Sequence, residues 1–540
     1  MLRKYTPAAA LLLVALLATS VLASVPSGKV NVAYYPNSRV YQGYPVTSLP
    51  VEELTHVVYA FANVRPDGSV VYSDPWIDAQ QQVTVMSNPD GTGVPLTFNG
   101  QIALLNNWKS PIRKRNRALR SLISVGGWTG SQYFSSIAAS PTLRKAFANS
   151  LAAFIDVNGF SGVDIDWEFP GLPGAAGTPY SDADPANFVL MLNDIRAAFT
   201  AQQKKLALTE PYILTAAVSG AFGKYKILDL VGMSKAVDFM LMMAYEFSGV
   251  WSAYTGHATP WTLVNVAISD WITTWGVPAN KIVLGLAFYG KSFSGVSLDP
   301  ENIAYPGNSF TNNPAPPGTF ESGVVTFDDL AANYFRDGTS YTRWVDPVEH
   351  VPVLASKQTG IWISYEDYPS IYAKGALVAA RKLRGVFSWD PSFDRGPELV
   401  YAAVNGMAKP SDCPKYSTAT TPPNAAKSTA TPAPAAAKAA APAAVSVASV
   451  AAAADAPASP QLLAVAANSP AHPASASQPP NNGQSVVKAQ LDGATCAENS
   501  IECIGSTAIR ACVNGKWAVS AAKAGERCAI VSGVAVMVLA

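Results

Sequence analysis

From about residue 29 to about residue 408 the chain alternates short, nearly unbroken apolar runs with stretches of helical periodicity. The runs are Val30–Tyr35, His56–Phe61, Leu119–Val125, Phe160–Asp166, Ile213–Val218, Asp238–Met243, Ile282–Phe288 and Gly385–Trp389. Runs of Val, Ile, Leu, Ala and Phe without polar alternation suit strands covered on both faces, as in a parallel sheet. Between them, Leu143, Phe147, Leu151 and Phe154 lay one apolar stripe along a helix. Eight such units predict an α/β fold, a (β/α)8 TIM barrel, whose chemistry sits at the C-terminal strand ends. The Pro-, Gly- and Asn-rich segment 292–358 exceeds what one crossover needs. It is read as an insertion between strands seven and eight.

The flanks have different compositions. Arg3 and Lys4 precede an apolar run from Pro7 to Val21, and Val21-Leu22-Ala23 supplies a peptidase site. That run is short for a membrane span, so residues 1–23 are read as a cleaved secretory signal. Residues 409–487 are mostly Ala, Pro, Ser and Thr. Too few large apolar side chains occur there to offset ordering entropy, which predicts a linker suited to O-glycosylation. Cys496, Cys503, Cys512 and Cys528 crowd into residues 488–540. In an exported chain they predict a two-disulfide framework with three possible connectivities; Cys413 stays unassigned. The apolar tail Ile530–Ala540 is too short to cross a bilayer. With 38 Lys and Arg against 37 Asp and Glu, no basic face for nucleic acid is expected.

The most informative stretch is Phe160-Ser161-Gly162-Val163-Asp164-Ile165-Asp166-Trp167-Glu168-Phe169-Pro170. Alternation along a strand sends Asp164, Asp166 and Glu168 to one face, the interior of a barrel. Carboxylates stacked there cannot all ionise, so at least one keeps a proton near neutral pH. Glu168, where the strand ends, is the expected general acid, its proton retained by its neighbours. A divalent cation on the D-x-D pair is the competing reading. Trp167, Phe169 and Pro170 make apolar, aromatic surroundings that favour a sugar ring, and no metal or cofactor is expected. Gly285–Ser292 formally matches G-x-x-x-x-G-K-S. Its bulky centre and the lack of a following helical pattern argue against a phosphate loop.

These residues resemble family-18 glycoside hydrolases, the fungal-type chitinases, whose fourth strand carries D-x-x-D-x-D-x-E. Here Ser161 stands at the first position, and Asp164, Asp166 and Glu168 fill the rest. Ser124-Val125-Gly126-Gly127-Trp128 is similar to the family's S-x-G-G, Met243-Ala244-Tyr245-Glu246 to its M-x-Y-D, and Trp389 to its strand-eight tryptophan. The stretches Trp344-Val345-Asp346-Pro347 and Ile363-Ser364-Tyr365-Glu366-Asp367 resemble its small α+β insertion domain. The resemblance implies a secreted, monomeric chitinase acting on chitin or N-acetylglucosamine oligomers by substrate-assisted, retaining hydrolysis. Glu168 would protonate the glycosidic oxygen. Asp166 would hold the acetamido N–H, Tyr245 the acetamido carbonyl, and Asp164 would share the proton of Asp166. Trp389, Trp128, Met243, Glu246, Phe169, Tyr35 and Lys291 are the expected substrate contacts. Glu246 for Asp, Phe169 for Tyr and Lys291 for Arg depart from the family pattern. Residues 488–540 are similar to the chitin-binding modules of carbohydrate-binding family 19, with Trp517 as the stacking residue. The alternatives are an endo-β-N-acetylglucosaminidase acting on N-glycans and a non-catalytic chitin lectin.

Overall fold

The computed structural model describes residues 24–298, 306–335 and 340–412, and the backbone of five strands between Ile501 and Leu539. Eight parallel strands close into a barrel. They are β1 (Val30–Pro36), β2 (His56–Val64), β3 (Arg120–Gly126), β4 (Gly162–Asp166), β5 (Ile213–Ser219), β6 (Phe239–Met243), β7 (Ile282–Ala287) and β8 (Gly385–Trp389). Each pairs with its sequence neighbours, and β8 closes on β1 with Gly385 opposite Val30. The expected strands are all present, with β2 running on to Val64 and β4 beginning at Gly162 instead of Phe160.

Strand alternation divides the core in two. Val30, Val32, Tyr34, Val58, Ala60, Leu122, Ala217, Phe239, Leu241, Val283 and Phe387 fill the interior. Their neighbours of opposite parity on each strand, such as Val57, Ile123, Val163, Ile165 and Val386, pack outward in the layer that includes the helices. The helix Pro141–Asn158 forms where the periodicity predicts it. Ser140 caps it by accepting from Leu143 N, Pro141 opens it, and Gly159 closes it with φ 69°. Burying Phe147 and Leu151 from this helix stabilises the fold by about 1.5–3 kcal/mol each.

The β1–β2 crossover departs from the eight-helix expectation. It holds only 3-10 turns, Asn37–Gln42, Val46–Ser48 and Val51–Glu53. Each follows a proline (Pro36, Pro45, Pro50), and prolines at this spacing interrupt any longer helix.

Between β7 and β8 lies a five-stranded antiparallel sheet. Its order is Val324–Thr326, Tyr289–Phe293, Ile361–Ser364, Pro352–Ser356, Thr342–Val345. Its second and third strands in that order, Tyr289–Phe293 and Ile361–Ser364, flank the 292–358 boundaries, because Tyr289–Phe293 continues directly from β7. The loop after β6 is tied to this sheet, with His257 Nε2 3.1 Å from Asp346 Oδ2 and Trp261 N donating to Glu349 O.

A separate unit, Gln461–Ala540, contributes two antiparallel sheets. One contains Ile501–Ile504, Ala508–Val513 and Lys516–Ala521; the other pairs Glu526–Val531 with Val534–Leu539. Residues 1–23, most of the 409–487 segment, Cys413 and Cys496 lie outside the described residues, as do the side chains of Cys503, Cys512, Cys528 and Trp517. Among the described residues no helix is long and apolar enough to cross a membrane.

Candidate active site

The acidic residues of β4 sit at increasing height in the barrel. Asp164 is fully buried and accepts hydrogen bonds from three other strands. Tyr34 OH of β1 and Ser124 Oγ of β3 donate to its Oδ2 at 2.7 and 2.8 Å, and Thr215 Oγ1 of β5 donates to Oδ1 at 2.7 Å. Burial raises the pKa of Asp164, and the three hydroxyls oppose that rise. Asp166 is 5% exposed and its Oδ1 is buried without a hydrogen-bond partner. Burial, then the charges of Glu168 and Asp164, push its carboxyl well above the usual range. Among the described residues no hydrogen bond joins the two aspartates, so Asp166 keeps one unsatisfied buried oxygen.

Glu168 lies past the end of β4, partly open to solvent, its backbone N–H donating to Ser131 Oγ at 2.9 Å. Its pKa is raised to about 7, first by burial and then by the charge of Glu246, with Lys224 opposing. The sequence expectation placed the cause of proton retention in the aspartates alone. Desolvation is the larger cause, and Glu246 from a different strand supplies the repulsion.

The Gly-Gly pair on β3 has a steric role. Gly127 N donates to Asp166 O at 2.8 Å, and a Cβ on Gly126 (φ 112°) would lie 2.2 Å from that same carbonyl. Only glycine lets β3 approach the acidic strand this closely.

Several expected contacts converge on the mouth. Tyr245 and Met243 stand half-buried at the end of β6, and Trp389 packs beside Tyr34 and Phe61, with ring centroids 5.5 and 6.0 Å away. Tyr245 has its hydroxyl pKa raised well above the usual value by burial and by the neighbouring carboxylates Asp166 and Glu168. Trp128 is 52% exposed and meets Phe169 edge-on at 6.2 Å. Lys291, on the strand after β7, pairs with Glu246, Nζ to Oε1 2.8 Å, and Tyr289 OH donates to the same oxygen at 2.8 Å. Burial disfavours the Glu246 charge, but Lys291 and Tyr289 outweigh it and hold the carboxyl below the usual range. The phosphate-loop match is thus a strand turn whose lysine is committed to a carboxylate.

Two expectations are corrected. Tyr35 points outward into the layer beside Tyr44 and Tyr59, 1% exposed, its hydroxyl donating to Tyr44 O. Tyr34, its neighbour of opposite parity, is the residue that faces the site. Trp167 likewise packs outward between Phe134 and Phe188 and does not border the mouth. Four residues passed over by the sequence reading belong here: Tyr34, Thr215, Tyr289 and Lys224. Alternation signalled Thr215, on the inward parity of β5, but β1 carries no polar alternation to give its parity.

A raised carboxyl at a barrel mouth, beside aromatic rings and a second, ion-paired glutamate, is an arrangement that a glycoside hydrolase of the (β/α)8 class can use. The profile of the glycosyl hydrolases family 18 matches residues 30–394, and the chain belongs to that family. It is 34% identical over 411 residues to "Chitinase 1" of Aphanocladium album, covering 72% of this chain and 88% of that one. It is 31% identical over 447 residues to "Chitinase A1" of Niallia circulans, covering 74% of this chain but only 61% of the relative's length. "Chitinase ChiA74 from Bacillus thuringiensis" superimposes with a TM-score of 0.61 at 28% identity, covering 70% of this chain and 69% of that one.

Proposed function

We propose that the chain is a secreted chitinase that cleaves β-1,4-linked N-acetylglucosamine polymers with retention of configuration, using the substrate's acetamido group as nucleophile. The observation that carries this reading is the state of the three carboxyl groups at the mouth. A retaining glycosidase of the two-carboxylate type needs one protonated acid and one free, ionised nucleophile. Glu168 suits the first role, with a pKa near 7. Neither remaining group suits the second, because burial and the neighbouring charges favour the protonated form of Asp166 and Glu246 is bound by Lys291 and Tyr289. The substrate therefore supplies the nucleophile.

In this mechanism Glu168 transfers its proton to the glycosidic oxygen as the C–O bond breaks. The acetamido carbonyl oxygen attacks the anomeric carbon to give an oxazolinium, and the leaving sugar departs as an alcohol. Asp166 passes its proton to Asp164 and, as the anion, accepts the acetamido N–H through its unpaired Oδ1 and offsets the positive charge that develops. Tyr245 donates to the acetamido carbonyl and aims it. Ionised Glu168 then takes a proton from water as it opens the oxazolinium, which restores the acid. Asp164 serves as a fixed base beneath Asp166, held by its three hydroxyl donors. Trp389 packs against the apolar face of the sugar whose bond is cut. The sheet between β7 and β8 is read as the family's insertion domain, and residues 488–540 as a chitin-binding module behind a linker.

Incubation with chitin oligomers, followed early by proton NMR, is expected to show release of the β-anomer first. Initial release of the α-anomer, or cleavage confined to glycoprotein N-glycans, would overturn this assignment. Truncation near residue 485 is expected to lower the rate on insoluble chitin several-fold while leaving soluble oligomers within about twofold, since tethering raises effective concentration at a polymer surface. Equal losses on both substrates would remove the module from the mechanism.

A further inference from the structure

The short helix Phe222–Tyr225 follows β5 and carries Lys224 toward the acid-bearing segment. Lys224 Nζ stands 3.7 Å from the centroid of the Phe169 ring, close enough for a cation–π contact. Phe169 is the residue after Glu168, is 7% exposed, and meets Trp128 of the β3 end edge-on. Lys224, Phe169 and Trp128 therefore link the ends of β5, β4 and β3 around the acid. Lys224 also borders a small cavity with Phe169, Pro170, Ala217 and Ser219. Among the described residues it forms no ion pair, unlike Lys291, whose charge is committed to Glu246.

The groups facing Glu168 come from three elements. Asp166 stands on its own strand, Tyr245 and Glu246 lie at the β6 end, and Lys224 lies after β5. Lys224 is the one cation of this set, and among the described residues it is not paired with a carboxylate. Its own pKa is lowered by burial, against the pull of Glu168 and Glu246.

We infer that Lys224 is a positioning residue that anchors the Phe169 side of the acid loop and sets the alkaline limit of turnover. This rests on Glu168 being the acid. A cation beside a carboxyl favours its ionised form, so removing the cation keeps the proton on to higher pH. Because the protonated acid is the active form, the alkaline limb of the kcat/KM profile should rise when Lys224 is neutralised.

The test measures pH profiles on soluble chitin oligomers for the wild-type chain, Lys224→Met, Lys224→Arg and Glu168→Gln, with thermal unfolding alongside. Lys224→Met is expected to move the alkaline limb up by about half a pH unit or more, and Lys224→Arg to leave it in place. If Lys224→Met fails to fold, Lys224→Gln serves the same purpose, since it too removes the cation. A limb that stays fixed while kcat or the melting temperature falls would overturn the inference, leaving Lys224 a packing residue. If Glu168→Gln keeps its turnover, the functional reading itself fails, whatever Lys224 does.

Discussion

Glu168→Gln is expected to lower kcat/KM on chitin oligomers by about 10²–10⁴-fold while leaving oligomer affinity within about threefold. The substitution keeps the shape of the side chain and its backbone bond to Ser131, and removes only the transferable proton. In the proposed mode of binding, oligomers rest instead on Trp389, Met243, Tyr245 and the exposed Trp128, and the substitution alters none of these. Steady-state rates with calorimetric binding separate the two effects. A variant within tenfold of the wild-type rate would exclude Glu168 as the proton donor.

Asp166→Asn is expected to act in opposite directions on rate and stability. The rate should fall about 10²-fold, because an amide cannot offset the charge developing on the acetamido group. Stability should rise at neutral pH. A carboxyl whose folded pKa lies above its unfolded value of about 4 binds a proton in the native state that the unfolded chain has released, so stability drops as pH climbs through that window. Asparagine carries no such dependence. The variant should therefore melt at least about 2 °C higher than wild type near pH 7, with the difference shrinking toward pH 4. Differential scanning calorimetry across that range checks it. A melting difference that grows toward acid would mean Asp166 is stabilised as the anion.

The barrel was legible because its strands are covered on both faces, which leaves their sequences almost free of polar residues. The same property hid the parity of β1. Val30-Asn31-Val32-Ala33-Tyr34-Tyr35 offers two adjacent tyrosines, and sequence reading chose the wrong one. On β4 the opposite holds, since carboxylates at alternate positions announce their own face. The origin of the Glu168 shift lay beyond reach, because Glu246 and Lys224 are neighbours only after three strand ends converge. The helix-free first crossover was legible in principle, in the prolines at 36, 45 and 50.

The lowest acidic position differs from the uppermost in what holds it. Asp164 is gripped by side chains from three other strands, whereas the Glu168 side chain projects beyond the last rung of its own. On the proposed reading, evolution could discard catalysis at the Glu168 codon without unsettling the scaffold, leaving a sugar-gripping shell behind. Drift at Asp164 offers no such exit, because an apolar replacement there strands three hydroxyls at the heart of the fold.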